Sequence, residues 1–292
     1  MFKGIFPPIP TPFINEEIAY DKLRSNVEKW NETKISGYVV FGSNGESVYL
    51  TREEKLETVE VLKEACHPDK KIIAGTGSDS IKETIYLTNE IGKRGADAAL
   101  LLTPSFYQGK MNHEAFIQYF HKVADNVNIP VMIYNVPKFT NVIIDATTVA
   151  ELSKHENIVG VKQSAENLGQ FAEMVYKSEE GFSCIVGTAS ILFGGLMLGA
   201  SGGILALANI APNQCVRIIE LVEEGKIEEA RQLQFKLLDV NKAVTAKYGI
   251  AGLKAALDEL GYFGGDPRSP LPKINEKDKS DLIEILKKAE IL

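Results

Sequence analysis

An apolar run, a polar turn and an amphipathic stretch succeed one another along this chain, and the repetition of that unit restricts the fold more than any single motif. Short runs rich in Val, Ile, Leu and Gly predict strands at Ile5–Ile9, Gly37–Phe41, Ile72–Gly75, Ala98–Leu102, Val131–Asn135, Ile158–Lys162, Ser183–Val186 and Gly203–Leu207. Helix-period segments are expected after them, near 20–33, 52–66, 80–94, 112–126, 145–154, 167–178, 189–199 and 212–224. Thr51-Arg52-Glu53-Glu54 and Ser80-Ile81-Lys82-Glu83 read as capping boxes, a hydroxyl at the cap with Glu three residues on. Eight strands alternating with eight helices over about 220 residues is the arithmetic of an α/β chain folded as a (β/α)8 TIM barrel. A doubly wound sheet is the competitor. It usually has fewer units and opens on a glycine-rich nucleotide loop, which Pro7-Pro8-Ile9-Pro10-Thr11-Pro12 is not.

Past residue 225 the strand pattern stops. Segments 226–247, 250–261 and 277–290 are helical by period, with a rigid break at Gly264-Gly265-Asp266-Pro267, Pro270 and Pro272. Residues 1–224 are therefore expected to form the barrel. Residues 225–292 are expected to form a C-terminal helical extension, packed on the barrel or facing another subunit.

Composition excludes several function classes. The net charge of −7 arises with Lys and Arg spread along the chain, so there is no basic face for nucleic acid. The 3 cysteines, Cys66, Cys184 and Cys215, lie far apart and read as reduced small hydrophobes. His67, His113, His121 and His155 fall into no metal-binding spacing. No run reaches transmembrane length and no signal peptide opens the chain, which points to a cytoplasmic setting without a membrane partner.

Active sites of barrels form at the C-terminal ends of the strands. The sixth predicted strand climbs through Asn157-Ile158-Val159-Gly160-Val161 to Lys162 and then Gln163-Ser164. Apolar walls around that amine would disfavour the ammonium and populate the neutral nucleophile that imine formation needs. The plainer reading is a head group that snorkels to water. The fifth strand ends in Tyr134-Asn135-Val136-Pro137, and Tyr134 could stand level with Lys162 and relay protons, or simply close the barrel top. After the second strand comes Gly42-Ser43-Asn44-Gly45-Glu46. Two glycines there would let a turn aim backbone N–H groups at a carboxylate, with Ser43 and Asn44 adding side-chain donors; an ordinary Asn-Gly turn is the alternative. Glycines in Gly187-Thr188-Ala189 and Gly199-Ala200-Ser201-Gly202-Gly203-Ile204 suit phosphate, substrate clearance or helix packing, and no Lys or Arg stands in these loops to favour phosphate.

Together, Gly42-Ser43-Asn44-Gly45-Glu46, Tyr134-Asn135-Val136-Pro137 and Lys162, in this order and strand context, resemble the dihydrodipicolinate synthase/N-acetylneuraminate lyase family of class I, pyruvate-dependent aldolases. The resemblance covers the chain from Gly4-Ile5-Phe6-Pro7-Pro8 to Pro270-Leu271. It implies a (β/α)8 barrel with a helical appendix, a homo-oligomer (dimer or tetramer) and no cofactor. It also implies roles: Lys162 as the Schiff-base lysine, Tyr134 as the proton relay, Ser43 and Asn44 as holders of the pyruvate carboxylate, and Gly187 and Ile204 as walls of the pyruvate pocket. Tyr107, in Thr103-Pro104-Ser105-Phe106-Tyr107, matches a second tyrosine that often reaches a neighbouring subunit's site, with an offset of one position.

Departures from the family pattern bear on the second substrate. Synthases that use aspartate semialdehyde carry an arginine where this chain has Phe139, beside Lys138. Sialic-acid lyases carry an acidic pair where it has Ala189 and Ser190. The Ser-Asn loop, Phe106-Tyr107-Gln108-Gly109-Lys110-Met111 and Asn241-Lys242-Ala243-Val244-Thr245 are most similar to 4-hydroxy-2-oxoglutarate aldolases. The expected partners are therefore pyruvate and a small aldehyde, released from 4-hydroxy-2-oxoglutarate or a 2-keto-3-deoxy sugar acid. The other readings are dihydrodipicolinate synthase, a non-catalytic 2-keto acid sensor, and a phosphate-holding isomerase.

Overall fold

The computed structural model describes residues Met1–Leu292. Eight parallel strands form the barrel: β1 (Gly4–Phe6), β2 (Gly37–Val40), β3 (Lys71–Gly75), β4 (Ala98–Leu102), β5 (Val131–Asn135), β6 (Ile158–Gln163), β7 (Ser183–Val186) and β8 (Gly202–Ile204). Each pairs with its neighbour in sequence from β2 to β8, and β8 pairs with β1. The ring closes where Pro8 bridges Val39, with Ile9 N–H donating to the Val39 carbonyl at 2.9 Å and Val39 N–H to the Pro7 carbonyl at 2.9 Å.

The first strand is shorter than its apolar run predicts. Pro7 and Pro8 have no N–H to give a ladder, so regular pairing ends at Phe6. The last is shorter too: Ala206–Asn209 turn into a 3-10 segment. A small hairpin, Phe13–Ile14 with Glu17–Ile18, precedes the first helix and was not expected from the sequence pattern.

The helices around the barrel are α1 (Tyr20–Asn31), α2 (Arg52–Ala65), α3 (Ile81–Lys93), α4 (His113–Ala124), α5 (Ala146–Leu152), α6 (Leu168–Lys177), α7 (Leu192–Met197) and α8 (Pro212–Glu223). Thr51 and Glu54 form the complete capping box of α2, a cap of the kind that contributes about 1 kcal/mol. At Ser80 only half of the expected box forms. Its hydroxyl accepts from Glu83 N–H, but the Glu83 carboxylate turns to the guanidinium of Arg52, a stronger two-point partner than a single backbone N–H. After the barrel come α9 (Ile227–Lys242), a π-helical turn, α10 (Gly249–Glu259) and α11 (Glu276–Lys288).

Two apolar cores follow from strand alternation. A small one fills the barrel, with Phe6, Val39, Ile73, Leu100, Met132, Ile185 and Ile204 among its members. A larger one lies between sheet and helices and takes the opposite faces, such as Val131, Ile133, Ile158 and Val161. No helix is long and apolar enough to cross a membrane.

Candidate active site

Lys162 falls on the inner face of β6 because of one irregularity. The β5–β6 ladder starts with Val131 opposite Ile158, then slips by one residue, so that Met132 faces Gly160 and Tyr134 faces Lys162. Continued without the slip, the ladder would set Lys162 opposite Asn135 and turn it outward. On the outer face an amide chain fixes this register: Asn135 Nδ2 donates to Gln163 Oε1 at 2.8 Å, Gln163 Nε2 to Gln170 Oε1 at 2.8 Å, and Gln170 Nε2 to the Ile144 carbonyl at 3.1 Å.

Inside the barrel, Lys162 is 3% exposed and Tyr134 4%. The lysine Nζ sits over the tyrosine ring, 4.0 Å from its centroid, and Ile185 of β7 pairs with Lys162 from the other side. The Tyr134 hydroxyl meets Ser43 Oγ at 3.5 Å. Burial alone would push this phenol up. The positive charge of Lys162, together with neighbouring hydroxyls, outweighs burial and holds it below the ordinary tyrosine range. The phenol is thus set up to give and accept protons beside an amine.

The loop after β2 differs in detail from the expected glycine turn. Ser43–Gly45 form one 3-10 turn, and the left-handed position is Glu46, with φ 54°, not a glycine. Gly45 answers a different need, since a Cβ there would stand 3.2 Å from the Ile9 carbonyl oxygen. The N–H groups of Gly45 and Glu46 are used within the turn, donating to the carbonyls of Gly42 and Ser43 at 3.0 and 3.3 Å. Those of Ser43 and Asn44 donate to no protein group, which leaves two N–H donors and two polar side chains near Tyr134. That is a carboxylate-sized set of donors.

Gly187 and Ile204 complete the neighbourhood. Ile204 is a buried member of the inner core together with Tyr134. Gly187 has its N–H on the Gln163 carbonyl at 2.7 Å, and a Cβ on it would fall 2.0 Å from Ser164 Oγ, so only glycine allows this approach. Ser164 was not singled out from the sequence, although its place two residues past Lys162 was the available signal. Its Oγ is buried without a hydrogen-bond partner, as is Thr103 Oγ1 just past β4. Unpartnered hydroxyls of this kind suit a ligand's polar atoms.

Two expected residues stand apart from this cluster. Tyr107 is 71% exposed, packed edge-on against Phe106 at 5.1 Å between centroids, and no hydrogen bond joins its hydroxyl to Tyr134 within the single chain. Phe139 is 60% exposed on a helical turn, Pro137–Thr140, that follows the strand of Tyr134. Lys138 Nζ lies 5.5 Å from the Phe139 ring centroid and 3.5 Å from the Thr245 carbonyl oxygen. A further group was missed in the sequence: Glu166, whose Oε1 accepts from Ser190 Oγ at 2.5 Å, while Ser190 and Thr188 share a hydrogen bond of 2.7 Å. Ala189 and Ser190 carry no acid themselves, but the loop after β6 brings one to Ser190.

Known proteins match this arrangement over its whole length. The dihydrodipicolinate synthetase family matches residues 1–289. The chain is 35% identical to 4-hydroxy-tetrahydrodipicolinate synthase of Methanothrix thermoacetophila, over 99% of this chain and 97% of that one. It is 36% identical to the enzyme of that name from Geotalea uraniireducens, over 98% of each. Among solved structures, dihydrodipicolinate synthase from Aquifex aeolicus superposes with a TM-score of 0.94 at 31% identity, covering 99% of both chains. A prophage protein of Escherichia coli K12 belonging to the dihydrodipicolinic acid synthase family, determined in complex with pyruvate, gives 0.94 at 25% identity and covers 100% of both.

Proposed function

The chain belongs to the dihydrodipicolinate synthetase family, a family of class I, pyruvate-dependent aldolases, and from that premise we propose that Lys162 forms the Schiff base with pyruvate while Tyr134 moves the protons. The observation that carries this reading is the buried pair itself, an amine 4.0 Å from the ring centroid of a phenol held below its ordinary range. Once Lys162 has passed a proton to Tyr134, its amine attacks the keto carbon of pyruvate. The resulting carbinolamine loses water, its hydroxyl taking a proton through Tyr134, to give a protonated imine. That imine is the electron sink. Loss of a C3 proton, or cleavage of the C3–C4 bond in the reverse sense, leaves an enamine that is stabilised by conjugation with the nitrogen. In condensation the enamine carbon attacks an aldehyde, and the new alkoxide takes a proton through Tyr134. Ser43 and Asn44 hold the carboxylate in this scheme, and Gly187 and Ile204 wall the pocket.

For the second substrate, the reading the residues support best is a hydroxylated 2-keto acid. Phe139 offers an exposed ring in place of a guanidinium, and an apolar ring does not grip a carboxylate. Glu166, Ser190 and Thr188 offer a carboxylate and two hydroxyls, groups that pair with hydroxyls and repel a second acid. Of the two substrates considered, this favours a 2-keto-3-deoxy sugar acid, whose departing aldehyde is neutral, over 4-hydroxy-2-oxoglutarate. The second reading is condensation of pyruvate with aspartate semialdehyde. It is favoured by the names of the relatives and by Lys138, a cation next to Phe139.

The exposed Phe106–Tyr107 pair is read as a contact with a second copy of the chain, where Tyr107 would join that copy's site. A cytoplasmic setting completes the proposal.

Side-by-side kinetics test the substrate. One arm measures pyruvate release from 4-hydroxy-2-oxoglutarate and from a 2-keto-3-deoxy sugar acid; the other measures condensation of pyruvate with aspartate semialdehyde. Cleavage of the sugar acid with negligible condensation is the expected result. Efficient condensation would instead assign the chain to the synthases.

A further inference from the structure

Glu46, at the end of the Ser43–Gly45 turn, faces away from water and into the C-terminal helices. Its carboxylate is fully buried against the fully buried ammonium of Lys254 on α10, at 2.6 Å. The other oxygen accepts the backbone N–H of Arg268 at 2.8 Å. Lys254 Nζ also donates to the Asp266 carbonyl at 2.9 Å and lies 4.5 Å from the centroid of the Phe13 ring. Arg268 then straps the same segment to the start of α2: its guanidinium is paired with Glu54, donates to the Tyr49 carbonyl at 2.9 Å and lies 4.4 Å from the Phe13 ring centroid. Gly264 permits the close fit, since a Cβ there would fall 2.0 Å from the Lys254 carbonyl oxygen.

A buried ion pair is a poor source of stability, because removing both charges from water costs about as much as their attraction returns. Burial in fact pulls Lys254 below the ordinary lysine range, although Glu46 opposes this. What such a pair does supply is geometry: two charges with no solvent alternative fix the distance between the elements that carry them. Here those elements are α10 and the loop that bears Ser43 and Asn44. Glu46 N–H donates to the Ser43 carbonyl at 3.3 Å, Thr11 Oγ1 donates to the Gly45 carbonyl at 2.7 Å, and Ser43 Oγ meets the Tyr134 hydroxyl at 3.5 Å. The chain of contacts therefore runs from Lys254 through Glu46 to Ser43 and on to Tyr134.

We propose that the Glu46–Lys254 pair sets the position of the pyruvate-carboxylate loop, so that α10 and the segment 264–268 are part of the pyruvate subsite, not an appendix to it. Glu46 and Lys254 are positioning residues: they act through Ser43 and Asn44. The proposal rests on the reading of those two residues as the carboxylate cradle.

Two variants test it, each read by melting temperature, by pyruvate KM and kcat, and by borohydride trapping of pyruvate. Glu46→Gln/Lys254→Met removes both charges at nearly constant volume. Glu46→Asp keeps both charges and tolerates the left-handed backbone, but shortens the reach by one methylene, so the pair closes only if the loop moves. In each, pyruvate KM is expected to rise about tenfold, the size of one lost charge-assisted contact. KM for the second substrate is expected to stay within about twofold, and trapping at saturating pyruvate to persist, because Lys162 is intact. A purely structural pair would lower the melting temperature or the active fraction and leave KM alone. Wild-type pyruvate KM in folded Glu46→Asp overturns the proposal even if the double variant does not fold. Failure of the underlying cradle reading looks different: Ser43→Ala/Asn44→Ala would then leave pyruvate KM at its wild-type value.

Discussion

Lys162 stands directly opposite Tyr134 only because the β5–β6 ladder slips by one residue between Val131 and Met132. The slip turns an outward-facing position into an inward-facing one, and it places an amine and a phenol at the same height in the barrel. Both lie at the C-terminal ends of their strands, where this fold does its chemistry.

Lys162→Ala should abolish borohydride-dependent attachment of pyruvate, read as loss of the mass increase on the intact protein. Turnover should fall by at least about a thousandfold, since no other group can replace the covalent step. Persistent trapping in this variant would sink the Schiff-base assignment.

Tyr134→Phe keeps the ring under Lys162 and should leave the melting temperature nearly unchanged. Removing the hydroxyl should cost about 10²- to 10⁴-fold in kcat, the range for a lost acid–base group. The charge dependence is testable as well. Burial raises this phenol, and Lys162 together with the neighbouring hydroxyls lowers it by more. In Lys162→Met burial would be opposed only by the neighbouring hydroxyls. Ultraviolet difference titration should then find Tyr134 ionising at higher pH than in the wild type; an unmoved titration would show that the amine charge does not govern the phenol.

Phe139→Arg should shift relative kcat/KM toward a carboxylated aldehyde by about tenfold or more, the size of a charge-assisted contact. No change between carboxylated and neutral aldehydes would mean that the turn Pro137–Thr140 does not face the second substrate.

Glu166→Gln and Ser190→Ala address the other side of the same choice. Each should lower kcat/KM for a 2-keto-3-deoxy sugar acid by about tenfold, the cost of an unpaired hydroxyl contact, while leaving pyruvate trapping at its wild-type rate. Equal losses for every second substrate would remove these residues from specificity.

Much of this was legible in the sequence because it is local. Strand runs such as Ala98–Leu102, Val131–Asn135 and Ser183–Val186 carry their own apolar signal and appear in the structure with the same bounds. Lys162 and Tyr134 were legible as strand-end residues standing level with one another, but the slip between Val131 and Met132 that makes them so leaves no mark in composition. What stayed hidden depends on distant partners. Glu46 reads as the polar end of a turn until Lys254 and Arg268 are brought to it. Glu166 reads as an unpartnered acid until its loop meets Ser190, although it stays exposed. The Ser80 box failed for the same reason: its Glu83 found Arg52, a partner that local spacing does not reveal.

The 3% exposure of Lys162 also bears on chemical discrimination. A neutral amine open to solvent would condense with any reducing sugar or stray aldehyde in the cell and be consumed by it. If Lys162 is the Schiff-base lysine, its burial beside Tyr134 screens the amine from most such carbonyls. On that proposal the barrel wall that buries the amine is also what keeps the nucleophile alive between turnovers.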